Sequence, residues 1–595
     1  MPKPKTLLGK FIIWRIRNIP HTQFLFILCI ITGFISGMSA VVLKNATHLI
    51  QSLLHKDFIG TFYTYGYIFF PFIGISIAVI ISKYIIAKPI GHGIPSTLYA
   101  ISKQGGLLKS HQMYASILTA PFTVGFGGSV GLEGPTVATG SALGSNISRV
   151  FRMNYKNRIL LIGCAATGAM SVIFNAPIAA IIFSIEVFSL DLTLTSLLPL
   201  LFASISARLT SYFFMGNDVL LHFSQTEVFD IRDTMFYVLL GVVSSITSIY
   251  FNKMYMFIAS LFDKLQSSFK KLIIGGVLIG IIVFFIPPLF GEGFDVINNL
   301  LAGSTPKSMF DPYFAEFTDN QWVVILLLLG LVVFKIIATS ITFGAGGIGG
   351  IFTPTLFMGS AMGNVFSKIV NAFGFYSISE VNFTLVGMAG LMSGVLYAPL
   401  TAIFLIAEIT RGYSLFLPLM ITSSISYSIT KYFIHRSVYT SELDKKGELL
   451  THNKDRAILN MLNIKSLLET NFITISSKMS ISEILHSAVA KSKRNIFPVV
   501  DSKGYFEGIV SLNDIRHIMF ETSICEVSLI KDVMQMPETI IDIKTDSIEN
   551  VMKKFQDTAA WNLPVTDDDK YVGFISKSKL LGAYRRKLIM FSSDD

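Results

Sequence analysis

Two glycine-rich runs carry residue types suited to holding a small anion loosely. The first is Gly125-Phe-Gly-Gly-Ser-Val-Gly-Leu-Glu-Gly-Pro135, and the second is Gly344-Ala-Gly-Gly-Ile-Gly-Gly-Ile-Phe-Thr-Pro354. Each ends in proline inside an apolar region, so each is expected to finish one helix and start another, proline fitting the first turn and glycine relieving the backbone. A helix start leaves N–H groups without intrahelical acceptors and carries partial positive charge. It can therefore bind an anion with no cationic side chain, and a site without Lys or Arg also releases the anion readily. Between His111 and Arg149 the only charged residue is Glu133, and between Lys335 and Lys368 there is none. A carboxylate inside a membrane is costly and points to function. Ionised Glu133 would occupy the anion's place; protonated, it would swing away and open the path. The alternatives are that the glycines serve only close helix packing and that Glu133 is a neutral helix cap.

The surrounding chain is built to position these starts in a bilayer. Of 595 residues, 52% are hydrophobic and 14% charged, far below the roughly 25% charged residues of a soluble domain. Apolar stretches such as Phe24 to Leu43, Tyr67 to Ile86, Ile159 to Ile185, Met235 to Tyr250, Leu272 to Phe290 and Trp322 to Ile341 suit a hydrocarbon layer about 30 Å thick. They predict about ten or more embedded helices ending near Phe433. The net charge of +10 is spread along the chain rather than gathered in a nucleic-acid patch. Lys3, Lys5, Lys10, Arg15 and Arg17 precede the first span, which places the N-terminus in the cytoplasm by the positive-inside rule. No cleavable signal peptide is read. Cys29, Cys164 and Cys525 are isolated and form no CxxC, so neither a disulfide framework nor a zinc site is expected.

The two runs belong to an internal duplication. Gly344 follows Gly125, and Gly359-Ser-Ala-Met-Gly363 follows Gly140-Ser-Ala-Leu-Gly144, by the same 219 residues. Further on, Gly168-Ala-Met-Ser-Val-Ile-Phe-Asn-Ala-Pro177 and Gly390-Leu-Met-Ser-Gly-Val-Leu-Tyr-Ala-Pro399 repeat at 222 residues, which also pairs Glu186 with Glu408. Two related halves with interrupted helices are the pattern of a transporter whose substrate sits between repeats.

Gly-Leu-Glu-Gly-Pro at 131 to 135, Gly-His-Gly-Ile-Pro at 91 to 95 and Gly-Ile-Phe-Thr-Pro at 350 to 354 resemble the signature loops of the CLC family of chloride channels and proton-coupled chloride exchangers. The resemblance implies an all-α polytopic domain of two inverted repeats with broken helices, and a homodimer with one anion path per subunit. By this resemblance, Glu133 corresponds to the family's gating glutamate. His92, Gly93, Ile351 and Phe352 contribute to the anion site, and Tyr439, by ungapped alignment from Thr410, supplies a hydroxyl. Three positions depart from the family. His92 replaces the usual serine, which bears on anion preference and, if the ring faces the path, on pH sensitivity. Leu132 stands where Lys or Arg commonly precedes the gate. Val187 occupies the internal proton-relay position and carries no proton, so a passive channel is expected, with chloride/proton antiport as the alternative. Glu186 and Glu408, equivalent in the two halves, are expected to satisfy backbone groups at helix ends.

Beyond residue 435 the chain turns polar, then alternates short apolar runs with Asp, Gly and Lys as an α/β module does. Pro498-Val-Val-Asp501 with Gly508-Ile-Val-Ser-Leu-Asn-Asp514 returns as Pro564-Val-Thr-Asp567 with Gly573-Phe-Ile-Ser-Lys-Ser-Lys579. These resemble paired cystathionine-β-synthase-type (CBS) domains, which implies possible adenine-nucleotide binding with Asp514 at the ribose and Lys579 in its place in the second copy. No cofactor is otherwise required. The expected organisation is an N-terminal segment at 1–20, a transmembrane domain at 21–440, a linker at 441–460 and CBS domains at 461–523 and 524–590. The expected setting is the plasma membrane, with both termini cytoplasmic and with chloride, protons, lipid and a second subunit as partners, but not nucleic acid. The enzyme alternative, an intramembrane serine protease, rests on Gly127-Gly-Ser-Val-Gly131, which lacks a strand-turn-helix context. No His-Glu-x-x-His occurs in the chain.

Overall fold

The computed structural model describes residues 6–55, 63–88, 90, 93–216, 229–303, 320–374, 376–445, 459, 462–558 and 560–592. The chain divides into two compact units, 1–449 and 450–595.

The first unit is helical throughout. An amphipathic helix, α1 (Leu7–Asn18), precedes the first half: α2 (His21–His55), α3 (Tyr63–Ile80), α4 (Ile94–Lys103), α5 (Gln112–Gly125), α6 (Glu133–Val150), α7 (Tyr155–Phe174), α8 (Pro177–Phe188) and α9 (Leu194–Met215). The second half repeats that order as α10 (Thr234–Asp263), α11 (Ser268–Phe285), α12 (Phe294–Leu301), α13 (Gln321–Gly344), α14 (Phe352–Ala372), α15 (Glu380–Leu396), α16 (Pro399–Ile409) and α17 (Phe416–Phe433), followed by α18 (Val438–Lys445). Packing repeats with the order. In one half α2 packs on α7 and α9, α5 on α6, and α6 on α7; in the other α10 packs on α15 and α17, α13 on α14, and α14 on α15.

Seven helices among the described residues are long and apolar enough to cross a membrane, and three shorter apolar ones accompany them. The apolar stretch from Ile159 to Ile185 is not one span. It breaks where Asn175 takes a left-handed conformation (φ 57°) ahead of Ala176 and Pro177. Tyr397 (φ 59°) ends α15 in the same way ahead of Ala398 and Pro399. With 12 and 11 residues, α8 and α16 reach only about 18 Å at 1.5 Å per residue, so each stops inside the layer.

Glycines set the closest approaches. A Cβ on Gly144 would lie 2.3 Å from the Leu161 carbonyl oxygen, and one on the equivalent Gly363 would lie 2.2 Å from that of Phe383. These contacts bring α6 onto α7 and α14 onto α15 at backbone distance, the role small residues play where lipid removes any hydrophobic drive for helices to associate.

The second unit contains two related α/β copies. In the first, β1 (Ile496–Val500) pairs antiparallel with β2 (Phe506–Ser511). In the second, β3 (Ile541–Asp542) runs parallel to β4 (Asn562–Asp567), which pairs antiparallel with β5 (Lys570–Ser576). Both hairpins carry a bulge at the same place, after Val499 and after Val565. The first copy keeps only a remnant of β3, a parallel bridge from Ile475 to Val499 that matches Ile541 to Val565. Each copy has its own core, one around Phe497, Val499 and Val510, the other around Phe555, Leu563 and Val565.

Gly144→Val and Gly363→Val are each expected to destabilise the membrane unit by about 1–3 kcal/mol or more, the scale of overpacking a tight contact. Thermal unfolding in detergent checks this, and a variant of wild-type stability would mean that the contact does not constrain the helices.

Candidate functional site

The glycine-rich runs form tight turns before their helices. Gly127 and Gly346, equivalent in the repeat, have φ of 91° and 99°, a region that residues with a Cβ rarely enter. The turns then meet. Gly131 N–H donates to the Gly350 carbonyl at 2.9 Å, and Gly350 N–H donates to the Gly131 carbonyl at 2.7 Å. This antiparallel bridge sets the start of α6 against the start of α14. A Cβ on Gly134 would lie 2.9 Å from the Gly349 oxygen, and one on Gly93 would lie 3.2 Å from the Gly134 oxygen. Three helix starts, α4, α6 and α14, therefore converge without side chains between their backbones.

Glu133 opens α6 and is fully buried. Its carboxylate folds back over Gly131, where a Cβ would lie 2.2 Å from Oε2 and 2.7 Å from Thr353 Oγ1. Neither carboxylate oxygen makes a hydrogen bond of normal geometry. The donors facing it are the backbone N–H groups of Glu133 and Thr353, first-turn amides of the two apposed helices. Ile351 caps α14, and Phe352 begins it with the ring buried against Phe174 (centroids 4.7 Å apart) and Phe183 (6.3 Å). Gly93 caps α4 with φ 57°. Tyr439, buried on α18, lies within electrostatic reach of Glu133. Among the sequence candidates, Gly93, Glu133, Ile351, Phe352 and Tyr439 are thus gathered in one region. His92 lies outside the described residues.

Sequence reading missed two neighbours. Glu292, in the loop between α11 and α12, accepts a hydrogen bond on Oε1 from Leu132 N–H at 3.1 Å. Lys335, fully buried on α13, donates through Nζ to the carbonyls of Gly291 (3.0 Å) and Glu292 (3.3 Å) and lies over the Phe357 ring at 4.6 Å. Both act electrostatically on Glu133. The gap in charge at Leu132 is thus met in space by a cation from the other half. The only hint in the sequence is a lysine in the middle of an apolar helix.

Other candidates are placed as follows. Val187, half-buried on α8, follows Glu186. Glu186 accepts from Leu400 N–H (3.2 Å) and from Thr401 N–H (2.9 Å) and Oγ1 (2.7 Å). Glu408 accepts from Ile178 N–H (3.0 Å) and Ala179 N–H (2.9 Å). Each glutamate thus caps the helix on which the other sits, so α8 and α16 run antiparallel. Equivalent elements running in opposite directions put the two halves in inverted orientation. The Ser129 hydroxyl is buried without a hydrogen-bond partner, so Gly127 to Gly131 forms no nucleophile-base pair.

In the second unit, Asp514 is engaged as a helix cap. It accepts from Ser511 N–H at 2.7 Å and from Gln535 Nε2 at 3.4 Å. An open cleft of about 490 Å³ is shared by the two copies, lined by Glu469 and Arg494 from the first and by Trp561, Asn562, Ser576 and Lys579 from the second. Burial would raise the Glu469 carboxyl, but hydrogen bonds from Ser576 and Arg494, with Lys579 nearby, hold it below its ordinary value.

The family described as voltage gated chloride channel matches residues 73–431, and the CBS domain family matches 464–521 and 530–586. The chain belongs to the voltage-gated chloride channel family. Anion transport is the activity this membership gives the membrane unit, and a CBS pair follows it. An H+/Cl− exchange transporter, ClcA, of Vibrio cholerae is 27% identical over 411 residues, 67% of this chain and 84% of that protein. Among solved structures, a slow cyanobacterial Cl−/H+ antiporter superposes with a TM-score of 0.62 at 21% identity, covering 71% of this chain and 97% of that one. A eukaryotic CLC transporter superposes with a TM-score of 0.58 at 17% identity, covering 96% and 99%.

In this CLC chain Glu186→Ala and Glu408→Ala are each expected to lower membrane-unit stability by about 1–2 kcal/mol, the scale of a lost helix cap. Comparable losses in thermal unfolding are expected from both, and an effect on one half alone would contradict the reciprocal capping.

Proposed function

We propose that this protein exchanges small monovalent anions, chloride in particular, for protons across the cell membrane, with Glu133 as the group that both gates the anion path and carries the proton. The observation that carries the reading is the Glu133 carboxylate, buried without a hydrogen bond between the starts of α6 and α14. Ionised, it takes the place an anion would take at those amides. Protonated, it loses that electrostatic hold and vacates the site. One group thus makes proton binding and anion binding compete, which is what coupled exchange requires.

Exchange displaces the passive channel expected from Val187. The Vibrio cholerae relative bears an exchanger's name, and a proton-accepting gate is in place whatever residue stands at 187. With Val187 unable to carry a proton, the inner end of the proton path runs through other groups or water. Gly93, Ile351 and Phe352 contribute backbone and Tyr439 its hydroxyl to the anion site, and His92 adjoins Gly93 in sequence. The basic N-terminal segment supports a cytoplasmic N-terminus; a cytoplasmic C-terminus and the assembly of two subunits, each with its own path, are part of the same proposal.

For the CBS pair, the proposed nucleotide seat moves from Asp514 to the cleft beside Lys579. Asp514 is engaged by Ser511 and Gln535, whereas the cleft presents an exposed Trp561 beside Lys579 and Arg494, which are held by the Leu468 carbonyl and by Glu469.

Reconstituted in liposomes with a chloride gradient, the protein is expected to drive protons uphill at a fixed ratio to chloride. Glu133→Gln should abolish proton movement while chloride still passes. Chloride flux with no uphill proton movement in the wild type would overturn exchange in favour of a channel.

A further inference from the structure

Glu292 and Lys335 belong to no repeat motif, yet they sit against the gate. Three observations bear on what they do. The Glu292 carboxylate holds the N–H of Leu132, the residue immediately before Glu133. Glu292 is partly exposed, whereas Glu133 is fully buried. Lys335, with no exposure of its own, is fixed by the Gly291 and Glu292 carbonyls and acts on both carboxylates.

We propose that Glu292 is the positioning residue that passes protons between water and Glu133 on the side of the membrane opposite the basic N-terminal segment. The inference rests on Glu133 being the proton-binding gate. Its sidedness comes from α2, which starts beside the basic segment. Lys44, past the middle of α2, acts on Glu292, and Gln51, nearer its far end, lies 3.9 Å from where a Gly291 Cβ would sit.

The charges facing the pair come from four elements: Lys44 on α2, Lys335 on α13, Glu133 itself on α6, and Tyr439 on α18 facing Glu133. Lys335 acts on both carboxyls, Lys44 on Glu292. The two carboxyls share the ammonium of Lys335, with Lys44 acting on Glu292 alone, and the pair passes one proton between them. The step is a transfer of H+ from one carboxyl oxygen to the other, leaving the donor a carboxylate and the acceptor a neutral acid. Only O–H bonds break and form. When Glu133 holds the proton, Glu292 is the carboxylate that keeps Leu132 N–H, and the start of α6 is freed for the incoming anion.

The test uses the full chain in planar lipid bilayers, with pH set separately on each side and chloride as the conducted ion. Two neutral variants, Glu292→Gln and Glu292→Ala, guard against one failing to fold, and Glu292→Asp keeps the acid. Both neutral variants are expected to move the outer-pH profile of chloride flux to lower pH by about one unit, since a like charge beside Glu133 is removed. The inner-pH profile should stay in place, and Glu292→Asp should restore the outer one. A purely structural cap would instead scale flux equally at every pH, which overturns the inference, as does an unchanged outer profile. If the wild type couples protons to chloride but the neutral variants keep its profile, only Glu292's role fails. If the wild type neither moves protons nor responds to outer pH, the exchange reading fails and this inference with it.

Discussion

Two hydrogen bonds between Gly131 and Gly350 hold the start of α6 against the start of α14, and the rest of the membrane unit is arranged so that this contact can exist. Each bond contributes only about 0.5–1.5 kcal/mol net in ordinary terms, but unpaired backbone groups inside a bilayer have no water to turn to. The bridge requires glycine on both sides, because a Cβ on Gly350 would lie 2.6 Å from the Gly134 nitrogen. It also requires the long helices to carry both turns to one depth. Inverted halves meet this condition: an element and its repeat run in opposite directions and pair antiparallel at the point where they cross.

Symmetry in the scaffold makes asymmetry in the site informative. At equivalent depth one half offers Glu133 and the other offers Phe352 with its ring packed against Phe174 and Phe183, so one helix start carries a carboxyl group and the other only dipoles. The ion cluster is equally one-sided. Lys335 lies on α13, whereas the equivalent stretch of α5 is uncharged. The buried Lys335 ammonium acts on the Glu133 carboxylate, yet it is anchored on two carbonyls and a ring rather than placed at the helix starts themselves.

Glu186 and Glu408 show how a duplicated carboxylate differs from a functional one. Both have their oxygens occupied by amide donors of the opposing half, and both are matched in the repeat. Glu133 has neither property. A buried acid without hydrogen-bond partners costs free energy in the resting structure.

Much of this was legible in the chain. Hydropathy marked the membrane unit, and the 219- and 222-residue repeats marked two halves. The Gly-then-Pro punctuation marked the helix starts, and the lone Glu133 marked the buried carboxylate at one of them, because these are local patterns imposed by lipid and by backbone geometry. Pairing at fixed offset also foresaw the capping role of Glu186 and Glu408. The sequence left open which surfaces meet across the halves. It read Ile159 to Ile185 as one apolar stretch, since hydropathy does not register a left-handed residue before proline. It singled out Asp514 by motif but not its capping of the helix that follows Ser511, because such a contact is invisible to a motif. It passed over Glu292 and Lys335, which lie 159 and 202 residues beyond Glu133 and join it only when the two inverted halves close on each other. Periodicity and composition are properties of neighbours along the chain, while the electrostatics of a buried site depend on distance through space, and only the tertiary structure sets that distance.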